Sequence, residues 1–416
     1  MSAEVELTMP YMQGITQLSS YEEISEVLRS PDFVQSAFDV SAPHFLDNTL
    51  VMLDGDSHFD RRRIEAHLFS RRALTRYKEE KLAPMVERTL RELAAGAGGD
   101  RVQADLVPLT WRMLGKVAAT VTGLDLGDGP EEIELLLTHV RRFARALTVE
   151  WSTDDREVTI ADGLQARAEF VEDFFARSSA RRRDLVARYK AGLISKEEVP
   201  QDLITLLNLH WDEAWDDGVP LRETTLFLVG STATTAQAFP HYIKHIESWM
   251  TEHPGDRHLI ADDPQFLRQA LFESLRLFVA APARLRRSLR DVVLKSGRKI
   301  AEGERVGLLF LPANAEPGIF GDDAMTFNPF RVPEGSTNWG LSFGGGEHAC
   351  LGRPLVTGIH NSQDQTDGTM VIIARMLYQA GLSLDPDRPL VQDETTHYDM
   401  FESMPILLEG RHHVLP

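Results

Sequence analysis

One stretch constrains this chain more than any other: Phe343-Gly344-Gly345-Gly346-Glu347-His348-Ala349-Cys350-Leu351-Gly352. It holds the single cysteine of 416 residues, behind three consecutive glycines. Those glycines let the backbone turn tightly and approach a flat ligand with no Cβ in the way. A lone cysteine cannot form an internal disulfide, which leaves two readings: a small buried hydrophobe, or a thiolate that reacts or binds metal. A phosphate-cradling loop would also use the glycines, but it needs a Lys followed by Ser or Thr after them, and none follows.

The order aromatic, glycines, histidine, thiol, glycine resembles the haem-binding loop of the cytochrome P450 family, Phe-Gly-x-Gly-x-His-x-Cys-x-Gly, and every fixed position matches. The resemblance implies haem b as cofactor and Cys350 as its axial thiolate ligand. Gly344, Gly346 and Gly352 would leave room for backbone N–H groups to reach the sulfur. Phe343 would shield that sulfur from water, and His348 would reach a haem propionate. The fold implied is mainly α with small β-sheets, the P450 fold, with haem between a long central helix and the cysteine loop.

Length alone suggests two or three domains, but the resemblance covers nearly the whole chain from about residue 15 and implies one domain over residues 1–416. With 43% hydrophobic and 26% charged residues there is ample material for a core. No uncharged apolar run of about 18 residues occurs, so no transmembrane anchor is expected. The acidic start, Met1-Ser2-Ala3-Glu4-Val5-Glu6, lacks the layout of a signal peptide. Together with the unpaired cysteine this suits a cytoplasmic protein. A net charge of −19 argues against nucleic acid or an anionic membrane as partner. Locally, Arg61-Arg62-Arg63 and Arg71-Arg72 form a basic island, readable as a solvated helix face or as a docking patch for an acidic electron donor.

In chain order, Ile15 to Leu18 reads as a strand, and Ser20-Tyr21-Glu22-Glu23 as a capping box opening a helix through Leu28. The family has more chain ahead of this point, so its first helix and strand are expected to be missing or reduced here. The segment Leu53 to Arg63 resembles the family's Asp-Pro-Pro-Glu-His-Thr-Arg-Leu-Arg. His58 and Arg62, four apart, share a helix face and would hold a propionate. From Ala73 to Ala191 helical periodicity dominates, broken at Gly96 to Gly99 and Gly123 to Pro130. Trp111, Trp151, Phe170, Phe174 and Phe175 read as core or lid aromatics.

A long helix is predicted over Leu221–Met250, bent at Pro240. Its centre resembles the family's oxygen-binding helix. Thr234 matches the threonine that helps deliver protons, and Gly230 matches the small residue beside the haem. Ala233 departs from the pattern, standing where the family has an acid, so the usual proton route is interrupted.

Glu273 and Arg276 share a helix face among apolar flanks and resemble the family's Glu-x-x-Arg structural lock. Strands are predicted at Asp291–Leu294 and Arg305–Leu311. Arg286 matches the second propionate arginine, with Arg284 and Arg287 close enough to compete for that role, and Arg331 is a candidate partner of Glu273. Beyond Gly352 the family's helix is interrupted, or lengthened by about two turns, by Asn361 to Gly368. His241 and His245, at metal-ligand spacing but without a third ligand, read as surface residues.

The resemblance implies a haem-thiolate monooxygenase oxidising a small organic molecule, such as one of secondary metabolism, with electrons from a ferredoxin and its reductase. Two alternatives stay open. Ala233 favours a peroxide-driven or non-hydroxylating haem enzyme, and a non-catalytic haem-binding protein is the other.

Overall fold

The computed structural model describes residues 12–96, 100–127, 129–360 and 365–409. The expectation of a reduced first helix and strand, the glycine-rich break at 97–99 and the polar stretch at 361–364 lie wholly or partly outside them. Helices carry the architecture, as the periodicity predicts. The longest, Val219–Glu252, runs 34 residues and is buried on most of its surface. An element apolar nearly all round belongs in the centre of a domain. Its many threonines are tolerated there because their hydroxyls bond back to the helix: Thr224, Thr225 and Thr232 donate to carbonyls four residues earlier. Pro240 sits inside the helix without ending it. Against this rod packs the helix Leu106–Thr122, whose first turn is capped by the Asp105 carboxylate accepting from Val107 N–H at 3.0 Å.

Among the described residues, five small sheets surround the helices. The largest has four strands in the order Thr16–Leu18, Arg305–Leu309, Ala283–Ser288, Phe33–Gln35. Its register sets Arg284 opposite Leu308 and Arg286 opposite both Val306 and Gln35. The strand predicted to reach Leu311 stops at Leu309, where a short helix, Phe310–Asn314, begins. A strand at Arg101–Asp105 falls where only helices were expected; it pairs antiparallel with Pro405–Glu409. Its exposed-buried alternation is too short, five residues among long helices, to stand out in the sequence.

The capping box at Ser20 does not form. The helix begins there, at Tyr21–Arg29, but Ser20 makes no side-chain cap. Glu23 is taken by Ser296 Oγ at 2.6 Å and Arg298 at 2.9 Å, a charged partner that a lone backbone N–H cannot match. Tyr21 N–H donates to Glu316 instead. His241 and His245 are also not surface residues. His241 is 3% exposed, stacks on Phe278 at 3.9 Å and bonds the Asp399 carbonyl through Nε2 at 2.8 Å. His245 Nδ1 pairs with Ser274 Oγ at 2.9 Å beside the Phe327 ring.

The lock motif forms as expected and extends further. Arg276, fully buried, bonds both Glu273 oxygens at 2.7 and 2.8 Å, and Arg331 Nε joins the same carboxylate at 2.9 Å. Arg276 also reaches the Asn314 carbonyl, while Asn314 holds Leu341 N–H at 2.7 Å and Ser342 Oγ at 3.1 Å. Thus the lock is tied to the base of the cysteine loop.

Two outcomes follow. Removing one partner from a buried network strands the others, so Glu273→Gln should lower unfolding free energy by about 3–5 kcal/mol, read by denaturant titration. Burial, then His241, hold His245 down at about 3. The unfolded imidazole therefore takes a proton that the folded one refuses. Stability is complete above the ordinary pKa of 6.5 and is lost as pH falls from there towards 3. His245→Gln should flatten that acid limb in a pH series of melting temperatures.

Candidate active site

The cysteine loop closes on itself through Cys350 N–H, which donates to the Phe343 carbonyl at 2.8 Å. Gly344 and Gly346 adopt φ of +66° and +62°. A Cβ on Gly346 would fall on the Leu28 carbonyl of the helix Tyr21–Arg29. Gly352 is different: a Cβ there meets only ordinary contacts near 3.8–4.0 Å with Phe69 and the Cys350 sulfur. Its contribution is the backbone N–H, which bonds that sulfur, as does the N–H of Arg353. Protein encloses the thiol, whose exposure is towards the cavity it lines. Burial pushes the thiol pKa up, partly offset by those two N–H groups and by the charges of Arg62 and Arg284.

The cavity, about 340 Å³, lies between this loop and the centre of the long helix. Helix Leu106–Thr122 contributes Leu114, Val117 and Val121; the long helix contributes Leu226, Phe227, Gly230, Ser231, Thr234 and Thr235. Thr234 Oγ1 donates to the Gly230 carbonyl at 2.8 Å, which leaves its lone pairs open to the cavity. Ala233 does not line the cavity; it is 3% exposed and packs in the core.

The four residues assigned to the propionates in the sequence, His58, Arg62, Arg286 and His348, all line this cavity. The helix Gly55–Glu65 brings His58 and Arg62 to it on one face. Arg62 is tied across to the Ala349 carbonyl at 2.6 Å, and the His58 and His348 rings lie 4.4 Å apart. His58 is 1% exposed, and burial, then His348 and Arg62, hold its pKa near 4, so it is neutral at pH 7. Its Nδ1 is 3.0 Å from Glu347 yet has no aligned hydrogen bond.

Two partners, Asp54 and Gln35, escaped the sequence reading. Asp54 accepts from His348 Nε2 at 3.1 Å; burial raises its pKa, but this bond and the Gln35 N–H more than offset it. Gln35 Oε1 accepts from Arg286. Arg284, left as a competitor of Arg286, lines the cavity beside it, whereas Arg287 points to solvent. The strand's period of two, with Arg284 and Arg286 in step, was the available signal.

The basic island divides. Arg61 is 1% exposed, lies 3.9 Å over the Trp215 ring and pairs with buried Glu223 at 2.6 Å. Beside them burial, then Glu223, drive the Glu65 carboxyl well above the usual carboxylate range, so it stays protonated. Arg62 faces the cavity, which leaves Arg63, Arg71 and Arg72 on the surface. A five-charge patch therefore does not exist. Trp111, Trp151, Phe170, Phe174 and Phe175 are buried core and do not line the cavity.

Beyond the thiol, the helix Arg353–Thr357 is five residues long and gives way to a hairpin, Gly358–His360 with Gln365–Asp367, before helix Thr369–Gln379. The interruption is thus a β-hairpin and not a longer helix. Gly358, at φ +85°, could not carry a Cβ, which would collide with the Thr366 carbonyl.

These residues suit a flat, mostly apolar dicarboxylate carrying a metal: cations at one edge, an orphaned buried imidazole nitrogen, apolar walls, and a sulfur with two aimed N–H groups. The family model described as cytochrome P450 matches residues 261–357. The steroid C26-monooxygenase of Mycolicibacterium smegmatis is 22% identical over 82% of this chain and 77% of its own length. The biotin biosynthesis cytochrome P450 of Bacillus subtilis is 23% identical over 81% and 78%. CYP109E1 from Bacillus megaterium, solved with testosterone, superposes with a TM-score of 0.68 at 19% identity, covering 94% of this chain and 92% of that one. P450BioI, solved with an acyl carrier protein bearing hexadec-9Z-enoic acid, does so at 0.69 and 17%, covering 94% and 92%. The class these findings define is that of haem-thiolate monooxygenases, with haem b as cofactor. The chain belongs to the cytochrome P450 family. Among the described residues no helix is long and apolar enough to cross a membrane.

If the loop needs Gly346 as the geometry says, Gly346→Ala should cost about 1–3 kcal/mol from the left-handed φ alone, and more from the collision. Both a lowered melting temperature and weakened haem retention during gel filtration should register it.

Proposed function

We propose that the protein is a single-domain P450 over residues 1–416 that oxidises a small, largely apolar organic molecule, using dioxygen and electrons from a ferredoxin, in the cytoplasm. The carrying observation is the Cys350 sulfur, which accepts two backbone N–H groups and opens onto the one cavity that also gathers His58, Arg62, Arg286 and His348.

In this reading Cys350 would hold the haem iron through its thiolate. The N–H groups of Gly352 and Arg353 take up part of its negative charge, and Phe343 keeps water from it. His58 with Arg62, and Arg286 with His348, would hold the two propionates by charge-assisted bonds. Haem, when bound, supplies the oxidising chemistry. The chain's own share is to orient the substrate against apolar walls and to handle protons. Thr234 Oγ1, its proton held by the Gly230 carbonyl, is placed to accept a hydrogen bond from water or substrate. Glu273 and Arg276 serve only to hold the loop.

A second reading keeps a specific observation. No carboxylate lines the cavity among the described residues, and Ala233 adds none behind Thr234. Without an acid to bring protons in, a peroxide, which carries its own, is a chemically simpler oxidant.

The reduced protein treated with carbon monoxide should show the long-wavelength Soret band of thiolate ligation, and Cys350→Ser should abolish it. With NAD(P)H, ferredoxin and its reductase, Thr234→Ala should lower product formed per reductant by at least about tenfold. Turnover with peroxide alone that exceeds turnover with ferredoxin would favour the second reading, and Ala233→Glu should then leave it no faster.

A further inference from the structure

The cavity holds more positive charge than haem can balance. Three guanidiniums line it, Arg62, Arg284 and Arg286, and among the described residues no Asp or Glu does. Two of the three have acidic neighbours outside the wall. The Cys350 sulfur and then Glu347 act on Arg62, and Asp54 and Glu347 act on Arg286. Arg284 has none among the described residues: the groups that favour its charge are the Tyr398 phenol and the Cys350 thiol, and its Nη1 donates to the adjacent Ala283 carbonyl at 3.0 Å. Burial disfavours its charged form, yet a guanidinium is not deprotonated in a protein. Half-buried on a largely apolar wall, it is a cation whose desolvation no carboxylate among the described cavity residues offsets.

Position separates Arg284 from the propionate grip. It stands two residues before Arg286 on the cavity face of the strand Ala283–Ser288, hence about 7 Å away along the strand. Arg286 lies towards Gln35 and Asp54. Arg284 lies on the side of Phe278, Ala280 and Ala281, where the cavity wall turns apolar.

We propose that Arg284 is a specificity-determining residue that anchors a carboxylate on the substrate, so that the molecule oxidised is an organic acid with an apolar body. This rests on the haem-thiolate reading above. The carboxylate supplies the missing counter-ion, the planar fork of the guanidinium donates two bonds to its oxygens, and the hydrocarbon portion occupies the apolar wall beside it.

The test uses the haem-loaded protein and Soret-shift titrations with straight-chain carboxylates of eight to sixteen carbons against their methyl esters (~8–16 carbons spans an apolar body within reach of one such cavity). The native protein should bind its best carboxylate about 10–100-fold more tightly than the matching ester, the worth of a charged hydrogen bond. Arg284→Gln should erase that preference while leaving ester binding and haem transfer to apomyoglobin unchanged, and Arg284→Lys should keep a several-fold preference. The proposal is overturned if no carboxylate shifts the native Soret band, if acid and ester bind alike, if Arg284→Gln keeps the preference, or if it speeds haem loss. Loss of the thiolate Soret band in the native carbon-monoxide complex would instead defeat the underlying haem-thiolate reading.

Discussion

The structure depends on one buried carboxylate. Glu273 receives Arg276 along its own helix and Arg331 from a segment 58 residues later. Neither arginine would be tolerable in that interior alone, and neither would the glutamate. Once paired, they give the long-range link that helices packed by shape do not provide. Asn314 passes the constraint on, fixing Leu341 and Ser342 directly ahead of Phe343. The sulfur at Cys350 is therefore positioned by groups with no part in chemistry.

Electrostatics inside the molecule are arranged on the same rule, that a charge kept from water must find its opposite. Three consecutive arginines meet three fates. Arg61 is neutralised by Glu223, Arg62 reaches the loop carrying the thiol, and Arg63 sits in solvent opposite Asp60. Glu65, with no cation of its own to share, keeps its proton. Around the cavity the cations outnumber the acids, and this imbalance gives the site its chemical character. It is electrophilic at one edge, apolar over the rest, and has only hydroxyls from the long helix in between.

What the sequence made legible was local and short-range. The spacing of Phe343, Gly346, His348 and Cys350 describes a loop that can be built in one way, and His58 and Arg62 need only a helix to share a face. The lock of Glu273 and Arg276 was equally readable, with Arg331 as its partner. What stayed hidden depended on packing from afar. His241 and His245 look solvated by composition, and only the rings of Phe278 and Phe327 and the Asp399 carbonyl make them interior. Glu23 looked like a cap because Arg298, its actual partner, is 275 residues away. Gly352 was read as leaving room for backbone N–H groups at the sulfur, and its own N–H is one of the two that favour the thiolate.

The hairpin that follows the thiol is bound into the body of the protein. Asp367, at its second strand, takes Arg268 at 2.9 Å from the lock helix and Arg375 at 2.7 Å from the next helix, while Lys78 holds its backbone carbonyl at 2.9 Å. Burial raises the Asp367 pKa, but those guanidiniums more than offset it and keep the group ionised. Three separate segments thus converge on one residue of an inserted ribbon. Opening the ribbon at its Asp367 end therefore means breaking contacts to the helices that carry Arg268 and Arg375, so local exchange there is coupled to the body of the protein.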